Sequence, residues 1–328
     1  MRETPFPKRM ALLTLACAAI ALHAPVARAQ AWPVKALRMV VPFPAGGPAD
    51  VLARYVGQKL AETLHQPVVV ENLPGMGGAI GMQRVARAAP DGYTLGFATV
   101  GALSVNPSIY PKVGYDPRRD FTQVAQVGEY ENVLVTGASQ PYRSLQDLLS
   151  AARAKPGQVT YGSAGNGSSN HLSGALLSSL SGARIHHIPY KGSAAAMTDV
   201  MAGNVDVMFD VPVTALPQIR AGKVRALATT GATRSPDFPA VPTVAELVPG
   251  YVVVGWAAVV APAGLPASVA DTLSSAIRNI VTNPESRDHF RAQGFTPAYL
   301  PPDRLRERIG ADLARWADVV KQAGAGID

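Results

Sequence analysis

Apolar residues in this chain follow two alternating rhythms. Short continuous runs rich in valine, leucine and aromatic residues are separated by longer stretches in which apolar positions recur every three or four residues. The first rhythm reads as buried strand and the second as helix. Residues 37–42, 67–72 and 93–99 are predicted strands. Between the first two, Val51, Leu52, Tyr55, Val56 and Leu60 repeat at helical spacing. Pro48 suits the first turn of that helix, and Asp50 places a carboxylate near its positive end. A second helix opens at Gly75–Gly78 and ends near Pro90. The resulting βαβαβ order is the unit of an open parallel sheet.

The same order restarts later. It predicts helices over 144–154, 169–180, 193–202 and 216–221, the last three stopped by Gly182, Gly203 and Gly222. Strands alternate with them at 159–162, 184–189, 204–210 and 224–229. Two α/β units follow, not one long sheet. Residues 121–136 are apolar throughout and extended, a segment able to cross from one unit to the other, with a return near 229–242. A strand over 252–261 and helices over 268–281 and 303–323 complete the first unit. Leu305, Ile309, Leu313, Trp316 and Val320 form one face of the last helix. The expected domains are residues 30–128 with 236–328, and residues 129–235.

The composition supports two cores, since the 328 residues are 48% hydrophobic and only 16% charged. The 30 Gly and 28 Pro are dispersed, as turns require, and do not cluster as in disordered segments. The first residues stand apart. Arg2, Lys8 and Arg9 precede an apolar run over 10–22, and Ala27-Arg28-Ala29 reads as a cleavage site, so residues 1–29 are expected to be a secretory signal peptide. Its removal takes away Arg2, Lys8, Arg9 and Arg28 against Glu3, and lowers the formal charge from +7 to +4. No basic run with interleaved aromatic residues suggests a nucleic acid. Cys17, the one cysteine, leaves with the leader; a lipidated Cys17 is disfavoured by Thr14, where a leucine would be wanted. The mature chain then has no thiol for a disulfide, a nucleophile or a metal, and the periplasm is the expected compartment.

Candidate chemistry concentrates where strands hand over to helices. Residues 43–50 (FPAGGPAD) and 161–169 (YGSAGNGSS) are glycine-rich turns of this kind. Such turns leave backbone N–H groups uncovered at the positive end of a helix, a setting for a small anion such as a carboxylate. Ligands in open α/β sheets bind beyond the carboxyl ends of strands, here Phe43, Thr99, Ser163 and Asp210. Asp50 has two open readings, ligand contact or helix-start carboxylate, and Asp210 could accept from a ligand or cap the next turn. His171 reads as a packed or surface histidine. His186 and His187 point to opposite faces of a strand, which argues against a two-histidine metal clamp. Tyr190-Lys191-Gly192-Ser193 could bring a cation and a helix start to a cleft, or be a solvated turn. No P-loop, His-Glu-x-x-His or G-x-S-x-G motif is present.

As a set, these residues resemble one family. Pro42–Gly47 with Asp50, Val70-Glu71-Asn72 with Gly75–Gly78, and Asp91–Leu95 carry the match. So do Tyr161-Gly162-Ser163, Gly167–Ser169 with His171, Pro189–Gly192, Gly203–Asp210 and Gly222–Ala228. The family is the extracytoplasmic solute receptors of tripartite tricarboxylate transporters, often called Bug receptors. The resemblance implies a two-domain α/β fold of the type II periplasmic-binding class, with two crossover strands and a closing cleft. It implies a monomer that uses no cofactor or metal, is not an enzyme, and delivers a small organic acid to a membrane permease of a large and a small subunit. By position, Phe43, Ala45, Gly46, Gly47, Asp50 and Thr99 would hold one end of the ligand, and Ser163, Gly165, Ser168 and Asp210 the other. One departure stands out: members often carry Gly-Thr or Gly-Ser where this chain has Pro48-Ala49, so an N–H and a hydroxyl are lost. Two further readings stay open, a sensory receptor that presents its closed form to a membrane histidine kinase, and an enzyme on the same scaffold.

Overall fold

The computed structural model of the chain describes residues 32–236 and 238–323. The expected leader, residues 1–29, lies outside the described residues. The chain divides after Val34 into two units. Of the first, only residues 32–34 are described, with a cis peptide between Trp32 and Pro33. The second unit carries the architecture.

It opens with β1 (Leu37–Val41), α1 (Pro48–Leu64), β2 (Val68–Asn72), α2 (Ala79–Ala86) and β3 (Thr94–Thr99). β1 lies between β2 and β3 and runs parallel to both, the βαβαβ unit the pattern called for. A π-helical turn over Gly101–Val105 leads into the short α3 (Asn106–Ile109), and β4 (Phe121–Glu131) then runs toward the second sheet. That sheet is built from β5 (Val133–Gly137), β6 (Thr160–Ser163), β7 (His186–Pro189), β8 (Val207–Asp210) and β9 (Val224–Thr229), in the order β7-β6-β8-β5-β9. Its helices are α4 (Leu145–Ala154), α5 (Ser169–Ser181), α6 (Ser193–Ala202) and α7 (Pro212–Arg220). The chain returns to the first sheet as β10 (Val254–Pro262), α8 (Ala267–Thr282), α9 (Pro284–Ala292), β11 (Thr296–Leu300) and α10 (Pro302–Ala323). The first sheet is ordered β11-β4-β10-β3-β1-β2, with β10 antiparallel to both β3 and β4.

Local chemistry explains where the elements begin and end. Ser144 and Asp147 form a reciprocal capping box at the start of α4. Gly182 and Gly203 take left-handed conformations (φ 67° and 79°) that stop α5 and α6. Three differences from the sequence reading have identifiable causes. β8 starts at Val207 rather than 204, because the N–H groups of Asn204 and Val205 turn back to the Asp199 carbonyl to close α6. α7 starts at Pro212 rather than 216, since a proline at the first helical position is pre-set for the turn. α9 and β11 were not anticipated; α9 is strongly polar and follows α8 with only Asn283 between them.

The two sheets join at a small hydrogen-bonded knot. Asn132, between β4 and β5, donates its N–H to Thr230 Oγ1 at 2.8 Å and accepts from the Thr230 N–H at 3.0 Å. Thr230 Oγ1 in turn donates to the Val253 carbonyl at 2.7 Å. Both residues are fully buried. One apolar core continues through both lobes, from Leu103 and Ile109 to Leu172 and Leu177 on α5 and to Leu305, Ile309 and Trp316 on α10. α10 packs against both β4 and α5 and so ties the lobes together.

Candidate ligand cavity

In the first lobe the chain leaves β1 at Val41, turns through Gly46 in a left-handed conformation (φ 77°), and enters α1 at Pro48. Asp50, 2% exposed, organises this turn. Its Oδ2 accepts from the Gly46 N–H at 2.8 Å and from Arg54 Nε at 2.9 Å, and its Oδ1 accepts from Asn72 Nδ2 at 2.9 Å. Asn72 Nδ2 also donates to the Phe43 carbonyl at 3.0 Å. Burial alone would raise the Asp50 pKa, but these hydrogen bonds and the Arg54 charge outweigh it and hold the carboxyl below its ordinary value. The Gly46 N–H is therefore engaged internally, the Gly47 N–H is aimed at the Pro44 carbonyl at 3.4 Å, and Pro48 has none to offer.

The second lobe differs. β6 ends at Ser163, and Gly165 (φ 122°) and Gly167 (φ 81°) carry the chain to α5. Ser168 caps α5 by accepting from the His171 N–H at 3.3 Å, and donates its own hydroxyl to the Gly165 carbonyl at 2.7 Å. The N–H groups of Ser169 and Asn170 lie ahead of the first intrahelical bond. α6 starts without any side-chain cap, from Gly192 at φ 120°, so the N–H groups of Ser193, Ala194 and Ala195 stand open. Beneath these loops lie three aromatic rings, those of His171 and Tyr161 buried and that of His187 half-buried. His187 stacks on His171 (centroids 4.1 Å apart) and on Tyr161 (4.8 Å). The His187 Nε2 lies 2.6 Å from Ser163 Oγ, and His171 Nδ1 accepts from the Gly167 N–H at 3.1 Å. Burial pushes the His171 pKa down to about 4 and that of His187 to about 3, so both rings are neutral near pH 7.

Both sets of loops face one cavity of about 770 Å³, its open mouth included. Of the positions expected to hold a ligand, Phe43, Ala45, Gly47, Thr99 and Ser168 line it. Gly46, Asp50, Ser163, Gly165 and Asp210 stand behind the lining: Asp50 ties Gly46 to α1, and Ser163 accepts from the Gly165 N–H at 3.1 Å. Asp210 is fully buried and accepts from Thr214 Oγ1 at 2.5 Å. Burial raises its carboxyl to about 6, against the pull of the Thr214 and Ser193 hydroxyls.

Several lining residues went unassigned in the sequence. Ser169 and Asn170 continue the Ser168 turn, Lys191–Ser193 belong to a motif whose chemistry was legible though its position was not, and Ala194 and Ala195 follow it. Tyr130, Ala257 and Phe295 come from β4, β10 and the α9–β11 turn, brought together only by the sheet. Tyr130 packs edge-on against Phe295 (5.7 Å) and covers Gly255, where a Cβ would lie 2.3 Å from its ring. The lobes also touch one another directly. A Cβ on Gly77 would lie 2.0 Å from the Asn166 carbonyl oxygen, and one on Gly101 2.2 Å from that of Gly167. Lys191 is the one charged lining residue, no acid reaches the surface, and no ion-pair partner holds that lysine among the described residues. No group of three histidine, aspartate or glutamate side chains able to hold a metal occurs among the described residues. No described helix is long and apolar enough to cross a membrane.

Comparison with known proteins gives a consistent picture. Residues 52–325 match the family model described as "Tripartite tricarboxylate transporter family receptor". The chain is 39% identical over 320 residues to Protein BugT of Bordetella pertussis, covering 97% of this chain and 98% of that one. Among solved structures, R. palustris Rpa4515 with adipate superposes with a TM-score of 0.86 at 36% identity, covering 89% of this chain and 98% of that one. MatC from Rhodopseudomonas palustris with bound malate gives 0.82 at 33%, covering 88% and 100%.

Proposed function

The chain belongs to the tripartite tricarboxylate transporter receptor family, a family of periplasmic solute-binding receptors and not of enzymes. From that premise we propose that it captures a small organic carboxylate in the cavity between its lobes and delivers it, as a monomer, to a membrane permease of two subunits. Capture takes place in the periplasm, after removal of residues 1–29.

One observation carries this reading. The cavity is lined by the open first turns of α5 and α6 and by the unpaired Lys191, with no acidic side chain at its surface. Helix N-termini and a lysine favour an anion, and the absence of acids leaves that preference uncontested. The solved relatives with adipate and malate fit the same chemistry. Closure follows from differential affinity: a ligand touching both lobes favours the state in which they meet. Bending falls at Asn132 and Thr230, where the two crossings exchange hydrogen bonds.

The test is a thermal-shift and calorimetric screen of the purified chain against a panel of mono-, di- and tricarboxylates. At least one acid should raise Tm in a concentration-dependent way, without being consumed. A flat response across the whole panel refutes the reading.

A further inference from the structure

Tyr130 stands in the cavity wall where the two lobes meet. It lies near the end of β4, two residues before Asn132, and is 8% exposed. Its ring belongs to the first lobe. The ring lies over Gly255, its cross-strand partner on β10, where a Cβ would lie 2.3 Å from it, and Phe295 packs edge-on against it. Clamped in this way, the ring is a rigid arm with little rotamer freedom to lose when a ligand binds. Its hydroxyl reaches the second lobe, where it meets the Ser169 hydroxyl in the first turn of α5. Both residues line the cavity.

Two paired hydroxyls carry two protons, and the bond between them uses one. The other is left for the cavity, beside the open N–H groups of Ser169 and Asn170. The phenol is the stronger acid of the two and so the better donor to an anion. Ser169 then donates to the Tyr130 oxygen, and the Tyr130 proton faces the ligand.

We propose that Tyr130 is a ligand-binding residue: its hydroxyl donates to the carboxylate seated at the start of α5, so that one carboxylate is held from both lobes. This rests on the carboxylate reading above and adds to it a residue that neither glycine turn contains. A hydrogen bond to an ionised acceptor is the stronger kind. Opening of the lobes would carry Ser169 and the carboxylate away from Tyr130, so the bond forms in the closed state and favours it.

The experiment titrates the wild type, Tyr130→Phe, Ser169→Ala and the double variant with succinate, adipate, malate, citrate and benzoate by calorimetry. The wild type should bind at least one of these acids. Tyr130→Phe keeps the ring on Gly255 and against Phe295 and removes only the hydroxyl, so it folds, as circular dichroism and the unliganded Tm check. It should bind the same acid about tenfold more weakly. Ser169→Ala leaves the α5 amides in place, and in that background loss of the Tyr130 hydroxyl should still cost about tenfold. Unaltered affinity in Tyr130→Phe overturns the proposal. So does a loss that vanishes in the Ser169→Ala background, because the tyrosine would then act only through the serine. In both cases the carboxylate reading stands. No binding of any of these acids by the wild type overturns both.

Discussion

The two glycine turns at the cavity look alike in sequence and behave differently in the fold. In the first lobe, Asp50 draws the Gly46 N–H, Arg54 and Asn72 onto one carboxylate, and Pro48 removes one donor from the helix start, leaving the N–H groups of Ala49 and Asp50. In the second lobe, α6 begins at an uncapped glycine and α5 keeps two open N–H groups behind its serine cap. The first turn ties its glycine amide to Asp50 and keeps two open N–H groups, and the second lobe's turns keep five. A glycine-rich strand–helix turn is therefore an anion site only when the residues around it leave its amides unclaimed.

This contrast makes stability the business of buried hydrogen bonds and affinity that of the second lobe's loops, and both can be tested. The largest effect is expected from acid. Burial depresses the pKa values of His171 and His187, so the fold prefers their neutral forms. Their contribution is complete above the unfolded value of 6.5 and is lost as pH falls toward about 4 and about 3. Denaturant titrations at pH 7 and pH 4 should differ by about 3 kcal/mol or more, and His171→Gln should shrink that gap. A wild-type curve unchanged between the two pH values would contradict the neutral pair.

Closure comes next. Gly77→Ala puts a Cβ against the Asn166 carbonyl and should weaken ligand affinity by roughly 100-fold, about 3 kcal/mol, with circular dichroism unchanged. Unaltered affinity would mean that binding does not need the lobes to meet there. Asp50→Ala should lower stability by about 2–3 kcal/mol while the folded protein keeps its affinity within a few fold; a loss of binding without a loss of stability would make Asp50 a ligand contact after all.

Asp210 carries the opposite sign to the histidines. Its folded pKa is raised to about 6, so it favours folding fully below 3.8 and that advantage disappears as pH rises through about 6. Asp210→Asn should stabilise the protein by about 2 kcal/mol at pH 8 and by little at pH 4. The smallest effect belongs to the exposed cation: Lys191→Gln should reduce affinity about threefold to tenfold, with the difference shrinking as salt is added. Were Lys191→Gln silent at low salt, the charge at the mouth would play no part in capture.

Much of this protein was legible before folding. The apolar rhythm gave both α/β units, the crossing over 121–136 and the face of the last helix, because strand and helix periods are local properties of the chain. The motifs gave the family, and the helix starts at Pro48 and Ser169 marked two edges of the cavity. Other features depended on neighbours distant in sequence. Whether Gly46 presents or withholds its amide depends on where Asn72 and Arg54 hold the Asp50 carboxylate. Tyr130, Ala257 and Phe295 become one wall only because β4, β10 and the α9–β11 turn meet beside the first sheet's loops. Sequence by itself determined the elements and the kind of chemistry at their ends. The tertiary structure decided which donors stay free, because a hydrogen-bonding group becomes available or engaged only once its competitors have been placed around it.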